Sequence, residues 1–379
     1  MLLVYKNQGG YLMKVNCSKD SLLTGVNTVL KAVSSKNTLP VLQGILVKAE
    51  DQHLIFEATD LEMGIRCMVP AHIEKEGVTV LPARIFSDLV RKLPEAPIEL
   101  ELENDILKIN YYESNLSLRG FDPDEFPLLP DLNGEETFVL PVDIFKNMIR
   151  QTIFACSTEE SRPVFTGCLL QIEESNLRVI ATDTHRLAYR IAEISNPENC
   201  KFQGIIPAKT LNEIYRLLRD DEENLTIRFN EAQILFQFGS VVLLSRLIEG
   251  QFPNYKQVIP QSCQTKLFLN TRLFQDSVER ASLLARDGNH PNIIKLSVES
   301  ERLSIDQSSD LGEISEIMNI KKEGNDVNIA FNSKYLLDVL KVIESEEVLV
   351  EMSGSYSPGV IRPLDDPNYL YLALPVRTS

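Results

Sequence analysis

PVLQGILVKAEDQHLIFEATDLEMGIR (residues 40–66) and PVFTGCLLQIEESNLRVIATDTHRLAYR (residues 163–190) are built on one plan. Each begins with Pro-Val, passes through a glycine into an alternating apolar run, turns at polar residues and enters a second run that reaches Ala-Thr-Asp. Such alternation is typical of half-buried β-strands joined by a turn. A weaker third copy, PNIIKLSVESERLSIDQSSDLGEIS, begins at Pro291. The chain therefore contains a repeated unit, and its period decides the fold.

A second motif repeats on the same frame. It is VTVLPARIFSDLVRKL at 78–93, GIIPAKTLNEIYRLL at 204–218 and IAFNSKYLLDVLKVI at 329–343. Pro82, Pro207 and Asn332 then occupy matching positions, 125 residues apart each time. Two motifs with one period predict three homologous domains, at 13–132, 137–255 and 256–379. Residues 1–12 precede the pattern, and we expect either a disordered extension or a misassigned start codon.

The repeat predicts an α+β fold in which each domain holds two similar halves, each with one helix and short antiparallel strands. In LLTGVNTVLKAV (22–33) the apolar residues recur at helical spacing. The six equivalent helices are predicted at 20–36, 82–94, 141–154, 207–219, 272–286 and 333–343. Strands of the first domain are predicted at 41–48, 53–58, 63–69, 97–102, 105–111 and 115–119. Pro-rich linkers follow at 121–132 and 250–260.

Charge is segregated between the helices and the rest of the chain. The chain has 38 basic and 54 acidic residues, a formal net charge of −16, which alone argues against nucleic acid. The six predicted helices nevertheless hold 15 basic and 7 acidic residues, which leaves 23 against 47 elsewhere. Lysine and arginine are good helix formers, but so is glutamate, and only two of the seven helical acids are glutamate. A basic helical surface within an acidic shell favours DNA where helices converge.

Composition indicates an ordinary globular protein. Apolar residues make up 44% of the chain and charged residues 24%, and no apolar run approaches the ~20 residues of a membrane span. No basic-then-apolar segment resembles a signal peptide, so we expect a cytoplasmic protein. The six cysteines and four histidines are dispersed, which predicts reduced core thiols and neither metal nor cofactor.

Seven segments, in one order, resemble the bacterial sliding clamps, the beta subunits of DNA polymerase III, from Met13 to Ser379. They are TLPVLQGILV (38–47), ATDLEMGIR (58–66), FDPDEFPLLP (121–130), ATDTHRLA (181–188), RLIEGQFPNYKQVIP (246–260), FNSKYLLDVL (331–340) and YLALPVRTS (371–379). The resemblance implies a head-to-tail homodimer whose six domains form a ring around double-stranded DNA, with helices lining the hole and sheets outside. It implies a non-enzymatic processivity factor that binds DNA without sequence preference. Base-specific contacts would create stopping points on DNA, whereas diffuse attraction to phosphates would not.

The resemblance also implies three sets of site residues. The dimer interface is expected to join Leu116 and Leu118 to Leu283 and Leu284 of the partner, although these leucines could instead be core. DNA-facing cations are expected among Lys36, Arg84, Arg91, Lys146, Arg150, Lys209, Arg216, Arg280, Arg286 and Lys341, with Lys36 and Arg84 the best matches. Polymerase, clamp loader and repair proteins are expected to insert linear peptides into a pocket lined by Phe165, Thr182, Thr184, His185, Arg186, Leu187, Pro253, Val258, Asn332, Tyr335, Leu374, Pro375, Val376 and Arg377. Thr184 replaces a frequent glycine, and Gln257 stands where a basic residue is common.

Two other classes of function fit parts of the sequence. Asp183 and His185 could form an acid–base pair, but the first repeat, with Leu61 and Met63 in the matching segment, lacks the pair, and no nucleophile or phosphate-binding motif accompanies it. An acidic repeat-type adaptor that does not encircle DNA would fit the net charge. The segregation of charge onto the helices opposes that alternative.

Overall fold

The computed structural model describes residues 12–34, 39–132, 136–196, 199–219, 221–285 and 292–377. It contains two compact units, formed by the described parts of Met1–Val142 with Arg216–Leu247, and of Asp143–Tyr215 with Ile248–Ser379. The predicted α+β class is confirmed, since helices are combined with antiparallel sheets in both units. No described helix has the length and apolar character needed to cross a bilayer.

Six α-helices occur where the repeat predicts them. They are α1 (Lys19–Val29), α2 (Ala83–Lys92), α3 (Val142–Thr152), α4 (Ala208–Leu217), α5 (Thr271–Leu284) and α6 (Ser333–Leu340). Residues of the shared frame mark two helix starts, because Pro82 is the N-cap of α2 and the Asn332 side chain accepts a hydrogen bond from Lys334 N in α6. Helix α1 is shorter than predicted and continues as a 3₁₀ turn to Ala32.

The first unit contains two antiparallel sheets. One has the order β5-β1-β7-β8-β9, with β1 Leu12–Cys17, β5 His72–Lys75, β7 Ile98–Glu103, β8 Ile106–Tyr111 and β9 Ser114–Arg119. The other has the order β10-β15-β16-β17-β4-β3-β2-β6, with β2 Gly44–Glu50, β3 His53–Thr59, β4 Met63–Pro70, β6 Gly77–Pro82, β10 Glu136–Pro141, β15 Asn224–Phe229, β16 Gln233–Phe238 and β17 Val241–Arg246. The second sheet therefore combines strands from the first and middle repeats.

The second unit repeats this arrangement with the middle and last repeats. Its larger sheet has the order β14-β11-β12-β13-β26-β25-β24-β18-β22, with β11 Gly167–Glu173, β12 Asn176–Thr182, β13 Arg186–Glu193, β14 Phe202–Pro207, β18 Thr265–Asn270, β22 Lys321–Gly324, β24 Glu347–Met352, β25 Gly359–Pro363 and β26 Tyr369–Ala373. Its smaller sheet has the order β21-β20-β19-β23, with β19 Ile293–Glu299, β20 Arg302–Ser309, β21 Gly312–Asn319 and β23 Val327–Asn332.

Two local differences from the sequence expectations have simple causes. Strand β2 begins at Gly44 rather than residue 41, because Pro40–Gln43 form a 3₁₀ turn with proline in its first turn. Each half of a domain also begins with a strand before its helix, as β1 does before α1, which the helix-then-strands pattern omitted.

Helices pack against the sheets through narrow apolar faces. Helix α1 buries Leu22, Gly25, Val26 and Val29. Gly25 is required by close approach, because a Cβ atom there would lie 2.2 Å from the ring of the fully buried Phe56 on β3. Most basic residues of the helices are exposed, whereas Lys19, Lys146 and Arg150 are half-buried.

Candidate functional site

The repeated Ala-Thr-Asp sequence builds the same hairpin turn twice. Between β12 and β13, the Thr182 hydroxyl donates to Arg186 O (2.7 Å), and Asp183 Oδ1 accepts from His185 N (2.9 Å). Between β3 and β4, the Thr59 hydroxyl donates to Met63 O (2.9 Å) and Asp60 Oδ1 accepts from Glu62 N (3.1 Å). The motif is therefore explained by turn chemistry.

The turn requires a left-handed residue after the aspartate. Thr184 has φ +79°, and Leu61 at the same place in the first repeat has φ +75°. Glycine adopts this conformation without steric cost, whereas a β-branched residue is strained in it. This geometry accounts for the glycine that Thr184 replaces. Thr184 and His185 are both exposed at the tip of the turn.

A buried arginine secures this hairpin from below. The Arg186 side chain is only 7% exposed, and its Nε pairs with Asp183 Oδ2 at 2.9 Å. Its Nη1 lies 2.6 Å from Asp338 Oδ2 on α6, and its Nη2 donates to Phe154 O at 2.6 Å. The guanidinium also lies over the Tyr335 ring, 4.5 Å from the centroid. Arg186 therefore ties the hairpin to α6 and to the segment after α3.

The charged state of Arg186 is stable in this setting. Desolvation by burial lowers the pKa of the guanidinium, but Tyr371, Asp338 and Asp183 outweigh it, and the net shift is upward. Asp183 Oδ1 accepts hydrogen bonds from the backbone N–H groups of His185 and Arg186, and its Oδ2 accepts one from Arg186 Nε. It is thus a structural acceptor, with no hydrogen bond to the His185 ring among the described contacts, and the acid–base alternative loses its geometric basis.

The C-terminal strand brings the tail to the hairpin. Strand β26 pairs with β13, and beyond it Leu374 N donates to His185 O at 2.8 Å. Val376 N then donates to Ala330 O, also at 2.8 Å, and Arg377 lies over the Tyr356 ring with 6.0 Å to the centroid. The predicted tail and hairpin residues are therefore neighbours within the second unit.

Side-chain alternation produces an apolar face that emerges at the surface. Leu370, Leu372 and Leu374 lie on one side of β26 and its extension, with exposures of 4%, 2% and 38%. Leu187, paired with Leu372 in the register, is 3% exposed and belongs to the same cluster. The linker covers the cluster, and its Val258 remains 50% exposed.

The predicted pocket residues therefore fall into layers. Thr184, His185, Pro253, Val258, Leu374 and Arg377 are exposed, whereas Phe165, Asn332, Tyr335, Pro375 and Val376 are half-buried. Thr182, Arg186 and Leu187 are buried. The guanidinium of Arg186 is occupied by its internal partners Asp183, Asp338 and Phe154 O. Asn332 is likewise occupied as the cap of α6.

Three supporting groups were missed at the sequence level. Asp338, Phe154 and Tyr371 hold or surround Arg186, and the Tyr371 hydroxyl donates to Tyr335 O at 2.9 Å. Asp338 lies three residues after Tyr335, on the same helical side, and that spacing was the available signal. Sequence also gave no indication that Cys156 Sγ and Cys168 Sγ lie 3.5 Å apart. No group of three potential metal ligands occurs among the described residues.

Three family models cover the chain in order. They are the N-terminal, central and C-terminal domains of the DNA polymerase III beta subunit, matched by residues 13–130, 139–254 and 256–377. The chain belongs to this family. The beta sliding clamp of Bacillus subtilis is 40% identical over 378 residues, covering 97% of this chain and all of the relative. That of Staphylococcus epidermidis is 37% identical with the same coverage.

Solved sliding clamps also match the structure. The DNA polymerase sliding clamp of Bacillus subtilis superposes with a TM-score of 0.94 at 39% identity, covering 97% of this chain and all of that one. A Pseudomonas aeruginosa sliding clamp bound to griselimycin gives 0.91 at 27% identity, with the same coverage. These relatives are named as clamps, which leaves the adaptor alternative without support.

The predicted cations on the helices differ in their exposure and in their ion pairing. Arg84, Arg91, Lys209, Arg216, Arg280 and Lys341 are exposed, Lys146 and Arg150 are half-buried, and Lys36 and Arg286 lie outside the described residues. Arg280 is bound to Glu316 on β21, with two N–O distances of 2.7 Å. Arg150 Nη2 lies 2.5 Å from Glu344 Oε1. Ion-paired cations attract phosphate less than unpaired ones do.

The predicted interface leucines lie on the last strand of a sheet and in the last turn of a helix. Leu116 and Leu118 are half-buried on β9, the last strand in the order of its sheet. Leu283 in the last turn of α5 is 60% exposed, and Leu284 is half-buried. A 60% exposed leucine is not part of the subunit core.

The two equivalent hairpins provide a matched test of the buried ion pair. Asp60→Ala removes turn acceptors and should lower the free energy of unfolding by about 1–3 kcal/mol. Asp183→Ala also removes a partner of buried Arg186, and we expect a larger loss of about 3–5 kcal/mol. Urea denaturation, with hydrogen exchange at the amides of β12 and β13, measures both. Equal losses for the two variants would contradict the stabilising role assigned to Arg186.

Proposed function

We propose that two copies of this clamp subunit form a closed ring around duplex DNA and tether replication and repair proteins to it. The segregation of positive charge onto the helices, within an otherwise acidic chain, is the observation that carries this proposal. Diffuse attraction to phosphates holds a ring near the DNA axis, and the lack of base contacts lets it slide. The related proteins named as sliding clamps support the same conclusion.

This proposal includes several finer statements. The subunit is a processivity factor without catalytic activity of its own, it works in the cytoplasm, and it requires neither cofactor nor metal. Its functional domains follow the three repeats at 13–132, 137–255 and 256–379, with residues 1–12 outside them. The distribution of the two motifs along the chain supports these boundaries.

The dimer is proposed to form between sheet margins. Strand β9 carries Leu116 and Leu118, and an unpaired strand edge is a ready site for another chain. On the other side, Leu283 and Leu284 end α5, and Arg280 links this helix to β21, the first strand in the order of its sheet. The apolar end of one subunit can thus cover the edge strand of the other in a head-to-tail arrangement.

Replacing Leu283 and Leu284 together by Ala should produce folded monomers, because it removes the apolar surface of that end. Solution mass from sedimentation measures the change. Leu273→Ala, a 61% exposed leucine at the start of the same helix, is the matched control and should remain dimeric. The monomeric variant should also lose salt-resistant retention on circular DNA, whereas the control should be retained until the DNA is linearised. An unchanged dimer mass for the double variant would refute this interface.

DNA attraction is proposed to come from the helix cations, and the structure separates them by their partners. Arg84 and Lys341 are exposed and have no ion-pair partner among the described residues. Arg280 and Arg150 are already paired with carboxylates. The hydrogen bond from Arg280 lowers the pKa of Glu316, so this pair stays charged on both sides.

Neutralising Arg84 or Lys341 should weaken DNA binding at low salt and make it less salt-dependent. Each lost phosphate contact should reduce the slope of log affinity against log salt by about 0.9. Lys108→Ala on strand β8 is the control cation and should leave the slope unchanged. Fluorescence anisotropy with a labelled duplex measures the slopes. Identical slopes for all three variants and the wild type would show that these helix cations do not face DNA.

The peptide site is proposed at the exposed end of the apolar face. Val258 and Leu374 can bury a leucine or phenylalanine anchor of a partner, at about 1.5–3 kcal/mol for each buried side chain. His185 and Arg377 lie beside them as exposed polar groups that can orient the peptide. Arg186 and Leu187 support the site from within, and Gln257 makes its entrance less positive than a basic residue would.

Leu374→Ala should weaken binding of a QLxLF-type peptide about tenfold, because it removes one of the two exposed apolar anchor side chains. Leu364→Ala changes a leucine of similar exposure (46%) in the same unit and should bind normally. Deleting residues 374–379 should abolish binding, because it removes Leu374 together with the Leu374 N and Val376 N hydrogen bonds of the tail. The dimer should remain intact. Titration calorimetry gives the affinities. Undiminished affinity in the truncation would place the site elsewhere.

A further inference from the structure

In the first unit, an arginine side chain holds the 121–132 linker against the sheet. The cross-strand row there is Glu57, Arg66 and Val242 on β3, β4 and β17. Arg66 Nε lies 2.5 Å from Glu57 Oε1, and its Nη1 lies 2.7 Å from Asp131 Oδ1 in the linker. Its Nη2 also donates to Leu129 O at 3.4 Å. This clasp ties the linker to the sheet.

Among the described contacts of the second unit, no such clasp occurs at the equivalent place. Its row is Ile180, Tyr189 and Leu370 on β12, β13 and β26, counted from the same hairpin turn. Tyr189 stands where Arg66 stands in the first unit, and its ring is 5.8 Å from that of Tyr255 in the linker. Between linker and sheet a cavity of about 330 Å³ remains. The repeat thus allows the two linker–sheet junctions to be compared, one held by an arginine clasp and one with a cavity.

The cavity is lined by both apolar and basic side chains. Tyr189, Ile259 and Leu370 contribute apolar surface, and Lys256 and Arg362 contribute positive charge. Lys256 is exposed and has no ion-pair partner within the described chain. Arg362 shares its charge with one carboxylate, Glu351, at 2.9 Å. Two cations around an aromatic pocket suit an apolar side chain followed by a carboxylate.

The cavity and the proposed peptide site share the linker and one face of the sheet. Tyr255 and Ile259 line it, while Val258, between them in sequence, belongs to the peptide site. On the sheet, Leu370 lies beside the cavity, and Leu374 lies four residues further along the same face. A peptide anchored at Val258 and Leu374 can therefore reach the cavity with its flanking residues.

We propose that this cavity is a second subsite for partner peptides, which accepts an aromatic or long aliphatic side chain and an adjacent carboxylate from outside the core motif. The inference rests on the proposed peptide-binding function. It assigns partner specificity to Tyr189, Lys256 and Ile259, which lie beyond the anchor positions. Partners with an acidic, aromatic flank then bind more tightly than partners that carry the core motif alone.

The test compares three peptides by titration calorimetry with the dimeric protein. One is a QLxLF-type peptide, and two carry the same motif with Trp-Asp-Glu joined through a Gly-Ser spacer at the N-terminus or at the C-terminus. We expect one extension to increase affinity about tenfold, as burial of an aromatic side chain implies. Lys256→Glu and Tyr189→Arg should each remove this gain and leave the affinity for the core peptide unchanged. Lys201→Glu, an exposed lysine of the same unit, should retain the gain.

Each outcome bears on a different statement. Failure of the core peptide to bind refutes the proposed peptide site itself. Normal binding of the core peptide with no gain from either extension refutes the second subsite alone. A gain that persists in both Lys256→Glu and Tyr189→Arg also overturns it, because the extension then binds at another surface. Hydrogen exchange at the β13 amides of Tyr189→Arg confirms that this variant keeps its fold.

Discussion

The buried guanidinium of Arg186 determines how the second unit is joined. Three segments that are distant in sequence meet at this one side chain: the hairpin through Asp183, helix α6 through Asp338, and the segment after α3 through the carbonyl of Phe154. A buried cation is costly unless carboxylates and acceptors surround it, so these three positions are fixed together. The His185 carbonyl on the hairpin then accepts a hydrogen bond from Leu374 N, so the position of the tail depends on that of the hairpin. The exposed apolar surface at Val258 and Leu374 is thus a consequence of an interaction in the interior.

Sequence periodicity was sufficient for the helices and for most strands of the first domain. A repeat constrains each copy by the others, so Pro82, Pro207 and Asn332 located three helices at once. The exceptions were local, such as the turn at Pro40, where proline removes a donor and delays the strand. Register and long-range partners were not predicted. Asp338 lies 152 residues from Arg186, and its spacing to Tyr335 alone does not identify Arg186 as its partner. Sequence reasoning therefore placed Arg186 among the pocket residues without predicting that Asp183 and Asp338 hold its guanidinium.

The two linkers show how one fold supports different surfaces. Both carry a Phe-Pro pair with a buried phenylalanine, Phe126 at 5% and Phe252 at 7% exposure. In the first linker, Leu132 is buried and Arg66 holds Asp131. In the second, Val258 is exposed and no equivalent ion pair secures the linker among the described contacts. Duplication gives both junctions the same scaffold, and a few side chains decide whether a junction is sealed or available to partners.

The sharing of sheets between repeats also constrains how the chain acquires its structure. Strand β4 can complete its pairing only with β17, and β13 only with β26. Paired residues such as Arg190 and Tyr369 are separated by more than one repeat of the sequence. Such long-range pairings close large loops and form slowly. Until they form, β4 and β13 present open edges to other chains. The middle repeat cannot behave as an independent module in the manner of a solenoid repeat, since each of its sheets is completed by a different neighbour.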